Sequence, residues 1–134
     1  MTSPAIEPIR VLIVEDNFLV ADLLRSLIED YGGFAATVVP TLERAFAVLA
    51  AEAVDVAVLD VNLNGASVVP FAEHLHAVGL PFVFLTGYGD KELLPEPLRS
   101  YPLFGKPVDA DPFIRTLRVV PVRAGGRGPS ARRS

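Results

Sequence analysis

The feature that most constrains the fold is a short apolar run that ends on a carboxylate. Residues 54–59 read VDVAVL and lead directly into Asp60. A nearly continuous apolar run of this length is typical of a strand covered on both faces in a parallel sheet. Two other apolar runs end in a similar way, since residues 10–14 lead into Glu15 and Asp16 and residues 81–85 into Thr86. Because ligands of open α/β sheets bind beyond the carboxyl ends of the strands, these ends indicate a site.

Strand patterns alternate with helical patterns along the whole chain. Strands are predicted in residues 10–14, 34–39, 55–60, 81–85 and 103–104, with helices in residues 17–31, 41–52, 68–78, 90–102 and 109–120. Such alternation, with short right-handed connections, predicts one parallel sheet with helices on both faces. The expected class is α/β, a flavodoxin-like doubly wound sheet of five strands in the order 2-1-3-4-5.

Local signals fix several helix ends. Asn17 and Thr41 are good N-caps for the first two helices, and Gly79 is suited to end the third. The fourth helix should be short or disordered, because Pro95 and Pro97 remove amide donors and clash with preceding carbonyls. The apolar positions predicted on the buried sides are Leu19, Val20, Leu23, Leu24, Leu27 and Ile28 in helix one, Leu42, Ala45, Phe46, Val48 and Leu49 in helix two, and Phe71, Ala72, Leu75 and Val78 in helix three.

Composition is that of one globular domain. The 134 residues are 51% hydrophobic and 21% charged, unlike a disordered chain. We expect a flexible leader at 1–9, the domain at 10–120 and a disordered Arg-rich tail at 121–134. The tail carries four arginines and no acid, whereas the preceding 120 residues carry 16 acids and 8 basic residues. An acidic body argues against generic nucleic-acid binding, and we expect no specific nucleic-acid partner. The arginine tail could add a little non-specific affinity for nucleic acid.

No targeting or membrane signal is seen in the sequence. The first residues lack a basic and then apolar signal pattern, and no apolar run approaches the length of a membrane span. The absence of cysteine excludes disulfides and thiolate metal sites. We therefore expect a cytoplasmic protein without membrane contact.

The strand ends predict a metal and phosphoryl site. In the expected strand order Glu15, Asp16 and Asp60 meet at one opening, where like charges are costly unless a cation is present. An all-oxygen donor set suits Mg²⁺. Thr86 and Lys106, from strands four and five, would flank the same opening and offer a hydroxyl and an ammonium to a phosphoryl group.

Each of these residues has an ordinary explanation when taken alone. A carboxylate at a strand end is most often a helix cap or a solvated turn residue, and a Thr-Gly pair is a common turn. What favours a site is their occurrence at the ends of four strands of one pattern. His74 and His76, two residues apart on a helix, are expected to be surface histidines.

The motifs LIVEDN, VLDVNLNG, FLTGYG and LFGKP, in this order, resemble the receiver domain of two-component response regulators over about residues 10–119. FLTGYG also resembles the signature of the stand-alone receivers called FATGUY. The resemblance implies that Asp60 accepts a phosphoryl group from a sensor histidine kinase or phosphotransfer protein. It implies Mg²⁺ held by Glu15, Asp16, Asp60 and the carbonyl of Asn62.

The same resemblance implies roles for the flanking residues. Thr86 would be the switch hydroxyl, Lys106 would contact the phosphoryl group, and Pro107 would follow a cis peptide. Gly87, Asn62 and Tyr88 would adjust access to the phosphoryl group and its hydrolysis rate.

Two positions depart from the family pattern. Asn64 stands where most receivers have proline. Leu103 stands where an aromatic switch residue is usual, so that switch is not carried over.

The function expected from these residues is a single-domain response regulator. It would act as a phosphorelay carrier, a phosphate sink or a phosphorylation-dependent protein binder, and as a monomer or weak dimer. We expect a self-modifying phospho-acceptor and not a turnover enzyme. The main alternative is a pseudo-receiver, an interaction module that is not phosphorylated. A dehalogenase-type phosphatase is disfavoured because Asn62 stands where that class needs a second carboxylate.

Overall fold

Strands and helices alternate along the chain as the sequence predicts. The structure is a computed structural model and describes residues 7–63, 65–87 and 94–123. The elements, in order, are β1 (Ile9–Val14), α1 (Phe18–Asp30), β2 (Phe34–Val39), α2 (Leu42–Ala51), β3 (Val56–Asp60), β4 (Asn62–Leu63), β5 (Ala66–Ser67), α3 (Val69–Val78), β6 (Phe82–Thr86), a 3-10 helix (Glu96–Ser100), β7 (Leu103–Gly105) and α4 (Ala110–Arg123).

The main sheet has the predicted topology. Its five strands are parallel and lie in the order β2-β1-β3-β6-β7, which is 2-1-3-4-5 when only these five are counted. The remaining two strands, β4 and β5, form a small antiparallel hairpin directly after β3. The flavodoxin-like prediction is confirmed, and the hairpin is an addition to it.

The core lies on the two faces of the sheet, because successive strand residues point to opposite sides. On one face Leu12 and Leu59 pack with α2 and α3, whose Phe71 is fully buried. On the other face Val58 packs with α1 and α4, including Phe113. Covering on both faces explains why β3 reads as a continuous apolar run.

The predicted helix ends are confirmed where local chemistry decides them. The Asn17 side chain accepts a hydrogen bond from the Val20 amide, and Thr41 accepts one from the Arg44 amide. Gly79 ends α3 in the left-handed region, with φ 78°. In the described part of the predicted fourth helix there is only the five-residue 3-10 helix, in agreement with a short fourth helix.

The predicted buried sides of the helices are only partly right. Leu19 and Leu23 of α1 are both 70% exposed, and Phe46 of α2 and Val78 of α3 are also exposed. The apolar stripe of a helix can be wider than the part of the helix that contacts the sheet, and the residues along one edge of the stripe then stay in solvent. The periodicity of the sequence does not tell which edge is exposed. The inner positions Leu24, Ile28, Ala45, Phe71, Ala72 and Leu75 are buried as predicted.

The first strand and the last helix each extend slightly beyond the residues predicted for them. β1 begins at Ile9, and α4 continues past residue 120, through Pro121, to Arg123. A proline in the last turn removes only one amide donor, so the helix tolerates it. Residues 1–6 and 124–134 lie outside the described residues, and a flexible leader and disordered tail there stay predictions. Within the described ranges, no helix is both long and apolar enough to cross a bilayer.

Candidate functional site

The strand register brings four of the predicted residues to one edge of the sheet. Val14 pairs with Leu59, so Glu15 lies level with Asp60 at the carboxyl ends of β1 and β3. Asp60 in turn pairs with Leu85, the residue before Thr86. Thr86 pairs with Gly105, and the Lys106 amide donates to the Thr86 carbonyl at 3.0 Å.

The three acids form one cluster. Glu15, Asp16 and Asp60 each offer a carboxylate oxygen within 4.8 Å of the others. Glu15 and Asp60 are buried, at 2% and 1% exposure, whereas Asp16 is open to solvent. Two buried carboxylates and an exposed one therefore face a single opening, as the sequence predicts.

Lys106 is the cation that faces this cluster in the described part of the chain. Its Nζ lies 3.2 Å from Glu15 Oε1 and 3.1 Å from Asp60 Oδ2. Burial lowers the pKa of Lys106, but its hydrogen bond to Asp60 and the charges of both acids outweigh burial and raise the pKa above its ordinary value. One ammonium against three carboxylates leaves an excess of negative charge.

The pKa of Glu15 lies above its ordinary value. Burial, together with the charge of Asp60, raises it from 4.5 to about 7, although the Asn17 amide donates to Glu15 Oε2 and opposes the rise. The other oxygen, Oε1, is buried, and its neighbour among the described residues is the Lys106 ammonium, 3.2 Å away. Three carboxylates that share a single ammonium form an all-oxygen donor set that fits a hard divalent cation such as Mg²⁺.

The hairpin after β3 shapes the acceptor. The Asn62 amide donates to Asp60 Oδ1 at 3.1 Å, while Oδ2 faces Lys106. The Asn62 side-chain oxygen accepts a hydrogen bond from the Gly65 amide at 3.1 Å and so stabilises the β4–β5 hairpin. This hairpin is not among the predicted elements, although the Asn64-Gly65 dipeptide is a local sequence signal for one.

The structure describes four of the remaining predicted residues, Thr86, Gly87, Leu103 and Pro107. The half-buried Thr86 hydroxyl donates to the Gly87 carbonyl at 2.9 Å. The Lys106-Pro107 bond is cis, as the resemblance implies. Leu103 is 36% exposed, and Tyr88 lies outside the described residues.

Comparison with known families agrees with this geometry. Residues 11–101 match the response regulator receiver domain. The chain belongs to this family. The match ends before Lys106, whose place in the receiver site therefore rests on the strand register and its two ion pairs. No curated protein matches the chain in sequence.

Solved receiver structures share the fold. The solution structure of SdrG from Sphingomonas melonis Fr1 is 34% identical, with a TM-score of 0.73, over 84% of this chain and 96% of that one. A response regulator receiver protein from Burkholderia phymatum is 26% identical, with a TM-score of 0.74, over 87% and 96%. The receiver domain of Francisella response regulator 1452, at 21% identity, a TM-score of 0.71 and 85% and 97% coverage, shows the fold alone.

Proposed function

We propose that Asp60 of this receiver accepts a phosphoryl group from a phosphohistidine on a sensor histidine kinase or a phosphotransfer protein. The observation that carries the proposal is a buried carboxylate at the carboxyl end of β3 with Lys106 Nζ 3.1 Å from its Oδ2. A carboxylate held beside an ammonium and two further acids can act as a nucleophile toward phosphorus once the surrounding negative charge is neutralised.

The cation that would neutralise this charge is Mg²⁺. Glu15, Asp16 and Asp60 would hold it, and the family resemblance adds the carbonyl of Asn62. When bound, it would offset the negative charge of the acids and of the phosphoryl oxygens. The three clustered carboxylates, which face a single ammonium, support this role.

The transfer step can be written from the residues of the chain. Asp60 Oδ2 forms a bond to phosphorus while the P–N bond of the phosphohistidine breaks, and the bonding electron pair returns to the imidazole nitrogen. The product is an acyl phosphate on Asp60. Lys106, released from its pairing with Asp60 Oδ2, would contact a phosphoryl oxygen. The Thr86 hydroxyl, which donates to the Gly87 carbonyl in this structure, would turn toward a second phosphoryl oxygen.

An apolar surface beside the site supports a protein as the donor. On the first two turns of α1, Phe18, Leu19 and Leu23 are 70–79% exposed. Next to them a groove of about 520 Å³ runs between α1 and the residues after β7, lined by Val20, Leu23, Leu24, Leu27, Leu85, Lys106, Pro107 and Val108. Exposed apolar surface of this kind typically marks a protein-interaction site. A donor seated there would reach the acceptor from the side of Lys106.

This mechanism makes the protein a phospho-acceptor that water later returns to its starting state, and not a turnover enzyme. It would act as a relay carrier, a phosphate sink or a phosphorylation-dependent binder. Because phosphohistidine is made from ATP, the proposal also places the protein in the cytoplasm.

Phosphoramidate tests the proposal, because its P–N bond resembles that of phosphohistidine. With Mg²⁺, we expect intact-mass measurement to show one added phosphoryl group on the wild-type chain and none on Asp60→Asn. Hydroxylamine should remove the group, as it does from acyl phosphates. The matched control is Asp55→Asn, because Asp55 is buried near the opposite end of β3 and the amide oxygen can still accept from the Arg10 amide.

Two results would contradict phosphoryl acceptance at Asp60. One is a wild-type chain that stays unmodified with phosphoramidate and also with a labelled phosphohistidine protein, which would favour the pseudo-receiver. The other is an Asp60→Asn chain that is modified as fast as the wild type.

A further inference from the structure

The strand that carries Lys106 to the site is short and lies at the edge of the sheet. β7 has three residues and pairs only with β6 among the described strands. Two backbone hydrogen bonds flank the pairing, from the Phe84 amide to the Pro102 carbonyl at 2.9 Å and from the Lys106 amide to the Thr86 carbonyl at 3.0 Å. So short an edge strand needs side-chain contacts to stay in register.

The two faces of β7 are held differently. Toward α4, Phe104 packs edge-on against the buried Phe113, with ring centroids 5.2 Å apart. On the face toward α3 the strand carries Leu103, which is 36% exposed and therefore contributes little packing between β7 and the rest of the protein. The anchor on that face is Tyr101, which lies two residues before Leu103 and therefore points to the same side.

Tyr101 is bound on three sides. Its ring stacks on Phe82 of β6 at a centroid distance of 4.0 Å and an interplanar angle of 21°, and its edge meets Phe84 at 6.4 Å. Its hydroxyl forms a hydrogen bond with Nδ1 of His76 on α3. Burial raises the pKa of Tyr101, which favours the protonated hydroxyl in this bond.

We propose that Tyr101 is a positioning residue for Lys106, acting with His76 to fasten the start of β7 to α3 and thereby hold the ammonium over Asp60. Tyr101 is bonded to α3, and the next residue, Pro102, accepts a hydrogen bond from the Phe84 amide of β6. β7 follows directly and ends next to Lys106. This inference rests on the proposed function only for the statement that Lys106 contacts a phosphoryl group. The aromatic anchor lies five residues before the lysine and is fixed by a stack and a hydrogen bond.

Amide hydrogen exchange in the unphosphorylated chain tests the anchor without any phosphoryl donor. Tyr101→Phe keeps the stack and removes the hydrogen bond, so we expect the Phe84 and Lys106 amides to exchange about fivefold faster. His76→Ala should have the same effect. The double variant should exchange no faster than His76→Ala alone, because both single variants remove the same hydrogen bond and only His76→Ala also removes the ring contact with Tyr101.

The matched control is Tyr31→Phe. It removes a comparable hydrogen bond, from the Tyr31 hydroxyl to Asp111 Oδ1 at 2.6 Å, between the end of α1 and the start of α4. We expect it to leave the Phe84 and Lys106 amides at wild-type rates. The anchor is refuted if Tyr101→Phe leaves both amides unchanged, or if Tyr31→Phe accelerates them equally.

Phosphoryl uptake tests the link to Lys106. Tyr101→Ala removes stack and hydrogen bond together and should slow uptake from phosphoramidate about tenfold. The Mg²⁺ affinity of Tyr101→Ala, followed at the Asn62 amide by NMR, should be no weaker than that of the wild type. The three acids lie at the carboxyl ends of β1 and β3 and not on β7.

Weaker Mg²⁺ binding in Tyr101→Ala would indicate general damage and refute a positioning role, and so would unchanged uptake. A wild-type chain that takes up no phosphoryl group would contradict the proposed function instead. The exchange result would still decide whether Tyr101 anchors β7.

Discussion

Replacing Glu15 with glutamine should change how stability depends on pH. Glu15 is 2% exposed, and its pKa is raised from 4.5 to about 7, mainly by burial. The native state therefore holds a proton that the unfolded chain releases, and stability falls as pH rises from about 4.5 to about 7. One pKa unit is worth about 1.4 kcal/mol, so the loss from this group is about 3 kcal/mol.

Glutamine copies the protonated side chain and cannot ionise. We expect Glu15→Gln and the wild type to have similar unfolding free energies near pH 4.5. At pH 8 without Mg²⁺, the variant should be about 3 kcal/mol more stable. Urea unfolding of both chains across this pH range, followed by circular dichroism, measures the difference directly. The control is Glu73→Gln, which removes a carboxylate from the exposed surface of α3, away from the acidic cluster.

Mg²⁺ sharpens this test. A cation held by ionised Glu15 stabilises the wild type at pH 8 and should narrow the gap to the variant. Parallel pH profiles for wild type and Glu15→Gln would refute the reasoning, because they would mean that Glu15 ionises alike in folded and unfolded chains.

Three further substitutions have definite expectations. Lys106→Met leaves two buried carboxylates without their ammonium and should cost about 3 kcal/mol at pH 8 in urea unfolding, with Mg²⁺ restoring much of the loss; an unchanged midpoint would contradict the ion pairs. Asn17→Ala should cost about 1 kcal/mol through the lost cap of α1, and a cost near zero would mean that the cap is not formed in solution. Phe71→Ala should cost about 3–5 kcal/mol because the ring is fully buried, and a change under 1 kcal/mol would contradict its place in the core.

The sequence predicts the fold well because its signals are local and repeated. Continuous apolar strands require cover on both faces, and the caps at Asn17 and Thr41 act within three residues of themselves. The topology then follows from general rules for parallel sheets. The site follows in turn, because the carboxyl ends of neighbouring strands meet at one edge.

What the sequence leaves out depends on contacts between distant residues. The stripe on α1 does not reveal that Leu19 and Leu23 face solvent, because this depends on how the helix is rotated on the sheet. The role of Tyr101 was not predicted, because its partners His76 and Phe82 lie 25 and 19 residues away in the chain. The hairpin that begins at Asn62 did have a local signal in the sequence, the Asn64-Gly65 dipeptide.

A crystal structure of the wild-type chain with Mg²⁺ and beryllofluoride, a stand-in for the phosphoryl group, tests the central claim most directly. We predict beryllium bonded to Asp60, with Lys106 Nζ and Thr86 Oγ1 on its fluorides and the cation between Glu15, Asp16 and Asp60. Beryllium on another carboxylate, or a cation bound away from these three acids, would contradict the account.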